Sequence, residues 1–192
     1  MRAALAILLC AAAFGQPANT PRKSPPFSIL RPGQEALPLE SFRGKVVALA
    51  FISTTCPHCQ ELTRQFGPLS KEYAARGVQF LECAFDDAAQ LAVPGFIQQF
   101  QPPFPVGYSS RAAVDAYLQR SIIDKTPLWV PHLVFLDRHG LIQADIPGDD
   151  PFMNNPLANT RALLDKLLGE GGTAAKAPGA AGAAKKPAAA AK

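Results

Sequence analysis

The run Val46-Val47-Ala48-Leu49-Ala50-Phe51-Ile52 is apolar at every position and too short for an ordinary helix. Such a run predicts a strand buried on both faces, and therefore a sheet with helices on each side. Val78 to Phe85 predicts a second strand, closed by Asp86-Asp87. His132–Asp137 and Leu141–Asp145 flank Arg138-His139-Gly140, the pattern of a hairpin. Phe27–Leu30, Leu37–Leu39 and Pro102–Val106 predict shorter extended pieces. Leu62, Phe66 and Leu69 form an apolar stripe at helical spacing, on a helix that opens with Pro57 in its first turn, kinks at Pro68 and stops at Gly77. Further helices are predicted over Ala88–Phe100, interrupted near Pro94-Gly95, over Ala112–Gln119, and over Pro156–Leu168 with Asn155 as cap. Alternating strands and helices with a closing hairpin predict one α/β domain over residues 27–170 with a mixed central sheet.

The two ends carry different information. Residues 1–15, MRAALAILLCAAAFG, place Arg2 before an apolar run and small residues at Ala13 and Gly15, the layout of a cleaved signal peptide. The run falls short of the ~20 apolar residues that a bilayer span needs, so no stable membrane insertion is expected after cleavage. Cys10 leaves with the signal. Residues 16–26 (QPANTPRKSPP) predict a Pro-rich linker, and residues 171–192, rich in Ala, Lys and Pro, predict a disordered tail. Arg2 and the tail lysines account for the basic balance. Residues 16–172 hold 14 basic and 15 acidic side chains, so the folded part is close to neutral and offers no basis for nucleic-acid binding. Export implies a periplasmic or extracellular location, an oxidising setting in which three cysteines remain: Cys56, Cys59 and Cys83.

Cys56-Pro57-His58-Cys59 follows a buried strand and opens a helix. A zinc site would normally need a second ligand pair, and His132, His139 and Cys83 show no such spacing. A static disulfide closing so small a loop would remove little chain entropy. A redox-active dithiol fits the context better. The helix N-terminus favours thiolate at Cys56, and a protonated His58 would add to that effect. Cys56 is then the nucleophile and Cys59 the thiol that resolves the mixed disulfide.

GKVVALAFISTTCPHCQEL resembles the corresponding segment of thioredoxin-like proteins, especially the exported TlpA/ResA-type thiol-disulfide oxidoreductases. The similarity extends from residue 24 to residue 170, through LPLESFRGK, VQFLECAFDD, PPFPVG and VPHLVFLDRHG. It implies a thioredoxin-like fold, exchange of disulfides with protein cysteines, an unidentified redox partner protein and no cofactor or metal. It also implies a cis Val130-Pro131 bond, with Val130 and Pro131 binding the substrate chain beside Cys56; Thr55, next to the nucleophile, is expected to bind substrate with them. The family often has Trp where Thr54 and Thr55 stand, an acid at the position of Ala50, and Glu at that of Leu62. The buried acid that would serve Cys59 is therefore not expected here. CPHC with Val before the proline is similar instead to the active site of DsbA-type oxidants, which leaves the direction of exchange open.

Cys83 shares a strand face with Leu81 and Phe85 and reads as a buried, inert thiol. His132 reads as a satisfied strand-edge residue, His139 as a solvated turn residue, and the Asp86-Asp87 and Asp149-Asp150 pairs as loop and cap residues. Trp129 either lines the substrate groove or packs. A non-catalytic module of the same fold, holding a protein partner or a metal, is the alternative to an enzyme.

Overall fold

The computed structural model describes residues 20–121 and 126–170. The expected signal peptide, the first residues of the expected linker and the expected tail lie outside those residues. Among the described residues, eight strands and four helices follow one another as β1 (Arg22–Lys23), β2 (Ser28–Arg31), β3 (Gln34–Pro38), β4 (Val46–Ile52), α1 (Pro57–Ala74), β5 (Val78–Ala84), α2 (Ala89–Phe100), β6 (Val106–Tyr108), α3 (Arg111–Tyr117), β7 (His132–Leu136), β8 (Leu141–Ile146) and α4 (Pro156–Glu170). Short 3₁₀ turns over Leu39–Phe42 and Pro151–Asn154 complete the list.

All strands join one sheet in the order β1-β8-β7-β4-β5-β6-β2-β3. The central pairs β4–β5 and β5–β6 are parallel, whereas β4–β7, β7–β8, β1–β8, β2–β6 and β2–β3 are antiparallel. β4 is buried at all seven positions, because α1, α2 and α4 pack on one side of it and α3 on the other. On the first face Ala48, Ala50 and Ile52 meet Leu62, Phe66 and Leu69 of α1 and Leu164 and Leu167 of α4. On the second, Val47, Leu49 and Phe51 meet Phe27, Val114 and Tyr117. The α/β domain with a mixed sheet expected from the alternating pattern is observed, and so is the thioredoxin-like fold that the resemblance implied.

Two expectations need correction. Helix α2 runs unbroken through Pro94, which sits on its exposed side together with Gly95 while Val93 and Phe96 anchor it from the core. The lost N–H therefore faces water, where the freed carbonyl is solvated. The linker reading fails at Arg22-Lys23, which pair with Ile142 and Leu141 and extend the sheet by an edge strand. The reason is electrostatic: the Arg22 guanidinium donates to the Asp145 carboxylate at 2.6 Å, with both side chains largely buried.

Candidate active site

The buried strand β4 delivers the chain to a loop, Ser53-Thr54-Thr55, held from two sides. Asp86, at the end of β5, accepts hydrogen bonds from both the backbone N–H and the hydroxyl of Thr54 at 2.7 Å. Gln60 of α1 donates to the Thr54 carbonyl at 2.9 Å. Cys56 then occupies the N-cap of α1 in extended conformation, with Pro57 at the first helical position, where a missing N–H costs nothing. Cys59, one turn on, is fully buried, and Cys56 is half-buried; both are free thiols.

The loop before β7 closes over this helix start. The Val130-Pro131 bond is cis, and Cys56 Sγ lies 4.0 Å from the Val130 carbonyl oxygen. Gly148 explains how the loop comes so near: a Cβ there would lie 2.9 Å from the Trp129 carbonyl carbon and the Val130 nitrogen. The Gly148 N–H also donates to the Trp129 carbonyl at 3.2 Å. Between this loop and α1 runs a cleft of about 370 Å³ whose walls include His58, Leu62, Pro131 and Met153. Cys56, Pro57, His58, Cys59, Val130 and Pro131 thus converge, and the exposed Thr55 stands beside them with its hydroxyl 3.2 Å from that of Ser53. The Trp129 ring is half-exposed and is not among the residues lining the cleft.

The expectation that Cys59 has no buried acid is overturned. Glu82 of β5 is completely buried on the same sheet face, and its Oε2 accepts a hydrogen bond at 3.0 Å from the hydroxyl of Thr63. That hydroxyl is also 3.0 Å from the Cys59 carbonyl oxygen, one helical turn earlier. Glu82 Oε1 is buried without a hydrogen-bond partner. Burial pushes the Glu82 carboxyl up to about 8, opposed by the Thr63 bond. Burial also pushes the Cys59 thiol well up; the Ser53 backbone opposes this, whereas Cys56 and Glu82 add to it. In the β4–β5 ladder Glu82 stands directly opposite Ala50. The acid is thus carried one strand over from the position where the resemblance placed it, and the small Ala50 side chain leaves room beside it. A signal existed: Glu82 is the one charged residue in the otherwise apolar core of VQFLECAF.

The remaining candidates fall elsewhere. Cys83 is buried on the opposite face with Leu81 and Phe85, and burial pushes its thiol well up, as an inert core cysteine requires. His132 shares that opposite face, near Phe51, and its Nε2 is 2.6 Å from Asp145 Oδ1, so the ring points away from the dithiol although Pro131 precedes it. His139 is exposed in the β7–β8 turn. Asp86 anchors Thr54, and Asp150 caps the 3₁₀ turn by accepting from Phe152 N–H at 2.8 Å.

A thioredoxin-like sheet carrying a Cys-x-x-Cys pair at a helix start, opposite a cis-proline, defines a protein of the thiol–disulfide exchange class. The chain belongs to the Redoxin family, whose model matches residues 20–164. It is 23% identical over 128 residues to the thiol-disulfide oxidoreductase ResA of Bacillus thuringiensis subsp. konkukian, spanning 67% of this chain and 69% of that one. Its fold is shared by a thiol:disulfide interchange protein of the thioredoxin family from Chlorobium tepidum, with a TM-score of 0.63 and 20% identity over 78% of this chain and 98% of the other. A thiol:disulfide interchange protein from Bacteroides sp. matches with a TM-score of 0.61 and 17% identity, over 81% and 93%.

Proposed function

We propose that this chain is an exported thiol-disulfide oxidoreductase that reduces disulfides of other proteins through Cys56 and Cys59. The observation that carries the reading is the pairing of a half-buried Cys56 beside the Val130 carbonyl with a buried Cys59 that the Thr63 hydroxyl links to the buried Glu82. The Cys56 thiolate attacks one sulfur of a substrate disulfide. The substrate S–S bond breaks, a Cys56–substrate disulfide forms, and one substrate thiolate leaves. Cys59 must next lose its proton, which its burial resists; Glu82 can accept it in the fraction that is ionised, a fraction that grows as the pH rises towards about 8. The Cys59 thiolate attacks Cys56 Sγ, the mixed disulfide breaks, and the second substrate thiolate leaves. Two electrons pass to the substrate and the Cys56–Cys59 disulfide remains for a partner dithiol to reduce.

Glu82 supports the reductant direction, because a base that ionises the resolving thiol serves this half-reaction. Val130 and Pro131 would line up the substrate chain and Thr55 would border it. The signal-like residues 1–15 support action in the periplasm or outside the cell. Equilibrating the protein with glutathione or dithiothreitol buffers and counting free thiols measures the Cys56–Cys59 potential. A value near about −270 mV fits a reductant; one near −120 mV would reverse the direction, and an unchanged thiol count would overturn the dithiol. Cys59→Ser should arrest the reaction as a covalent Cys56–substrate adduct, visible by mass spectrometry.

A further inference from the structure

The cleft beside the dithiol has a mixed lining. Leu62, Met153, Pro131 and Pro156 supply apolar surface. Glu61, Asp149 and Asp150 supply carboxylates, and among the described residues neither lysine nor arginine lines the cleft. Glu61 and Asp149 are exposed at the rim. Glu61 does pair with Arg64 at 3.4 Å, but both side chains are more than half exposed, a geometry in which an ion pair contributes little. Asp150 is partly engaged by the Phe152 N–H. His58 and Pro131 line the cleft and adjoin Cys56 and Val130 in the chain, so side chains beside a cysteine attacked by Cys56 come within reach of it.

We propose that this cleft selects substrate segments bearing a lysine or arginine next to the reactive cysteine, an inference that rests on the oxidoreductase reading above. A long basic side chain suits such a lining: its methylene stem can cover apolar surface while its cationic head reaches a carboxylate. An acidic side chain in the same place would face like charges, which gives discrimination by repulsion as well as attraction. Opposite charge at an open rim acts mainly on the encounter rate and is screened by salt.

The test uses three disulfide-bonded peptides of identical length in which the position beside one cysteine is Lys, Gln or Glu. Second-order rate constants for their reduction by the dithiol form of the protein are read by thiol release. The Lys peptide should react about tenfold faster than the Gln peptide, and the Glu peptide slowest, with the spread shrinking as ionic strength rises. In the double variant Glu61→Gln/Asp149→Asn the Lys-to-Gln ratio should collapse towards one. Equal rates for the three peptides, or a Lys preference that persists in the double variant or is insensitive to salt, would overturn the inference while leaving the oxidoreductase reading intact. Failure to exchange with any peptide and with dithiothreitol would overturn that reading, and this inference with it.

Discussion

Glu82 concentrates the chemistry of the site in one side chain. A carboxyl without solvent exposure gives up its hydration, and here a single Thr63 hydroxyl replaces part of it. The proton is retained as a result, with the carboxyl titrating near 8 against an ordinary value of 4.5. The consequence for stability has a definite sign. Between those two values the folded state holds a proton that the unfolded state has released, so raising the pH through that window favours unfolding. Above about 8 the loss stops growing. Glu82→Gln removes the titration, so urea unfolding of the variant should be nearly flat between pH 5 and 8, while the wild-type protein weakens over the same range. The same variant has lost the proton acceptor for Cys59. Stopped-flow measurements should show formation of the Cys56–substrate adduct largely unchanged and its resolution slowed by about 10²-fold. A variant that resolved the adduct at the wild-type rate would remove Glu82 from the reaction.

At the scale of elements, the site is made where the end of β4, the start of α1 and the loop before β7 meet. Gly148, in the loop after β8, permits the Trp129–Val130 backbone to pack this closely. Gly148→Ala puts a methyl group 2.9 Å from the Trp129–Val130 backbone, which must move away from α1 or push β8 aside. The expected cost is about 1–3 kcal/mol in chemical denaturation, together with slower attack of Cys56 on a disulfide peptide. Normal peptide reduction in this variant would show that the separation of Val130 from Cys56 is not critical. None of this was visible in the linear order of residues, because Gly148 lies more than eighty positions from Cys56 and carries no chemistry of its own. The CxxC segment was legible because its signal is local: an apolar run, two cysteines one turn apart and a proline suited to a helix start. The role of Pro131 was legible only through the resemblance. Glu82 went unread because a charged residue inside an apolar strand looks like a solvent-facing interruption until the ladder places it opposite Ala50, under α1.

Across the whole molecule, the sheet that carries the site is closed at one edge by a segment whose composition suggests a linker. Pro-rich sequence marks low intrinsic order, but it says nothing of a single charge that finds a buried partner 123 residues away. Arg22 and His132 both reach Asp145 at 2.6 Å, and together they tie β1 to β8 and β8 to β7, the strand that follows Pro131. Burial alone would raise the Asp145 carboxyl; its bonds to His132 and Arg22 hold it below the ordinary value of 3.8. Stability from this cluster is therefore fully present above pH 3.8 and is lost as the pH falls through the lower folded-state value. Arg22→Ala leaves Asp145 buried with His132 as its remaining partner, and should cost about 3 kcal/mol at neutral pH. The difference between variant and wild type should narrow in acid, below pH 3.8, because protonated Asp145 no longer needs the guanidinium. Urea unfolding at pH 7 and at pH 3 measures both quantities. A penalty of equal size at the two pH values would show that Arg22 acts by packing its stem, and a negligible penalty at pH 7 would show that β1 contributes nothing to the fold that holds Pro131 over Cys56.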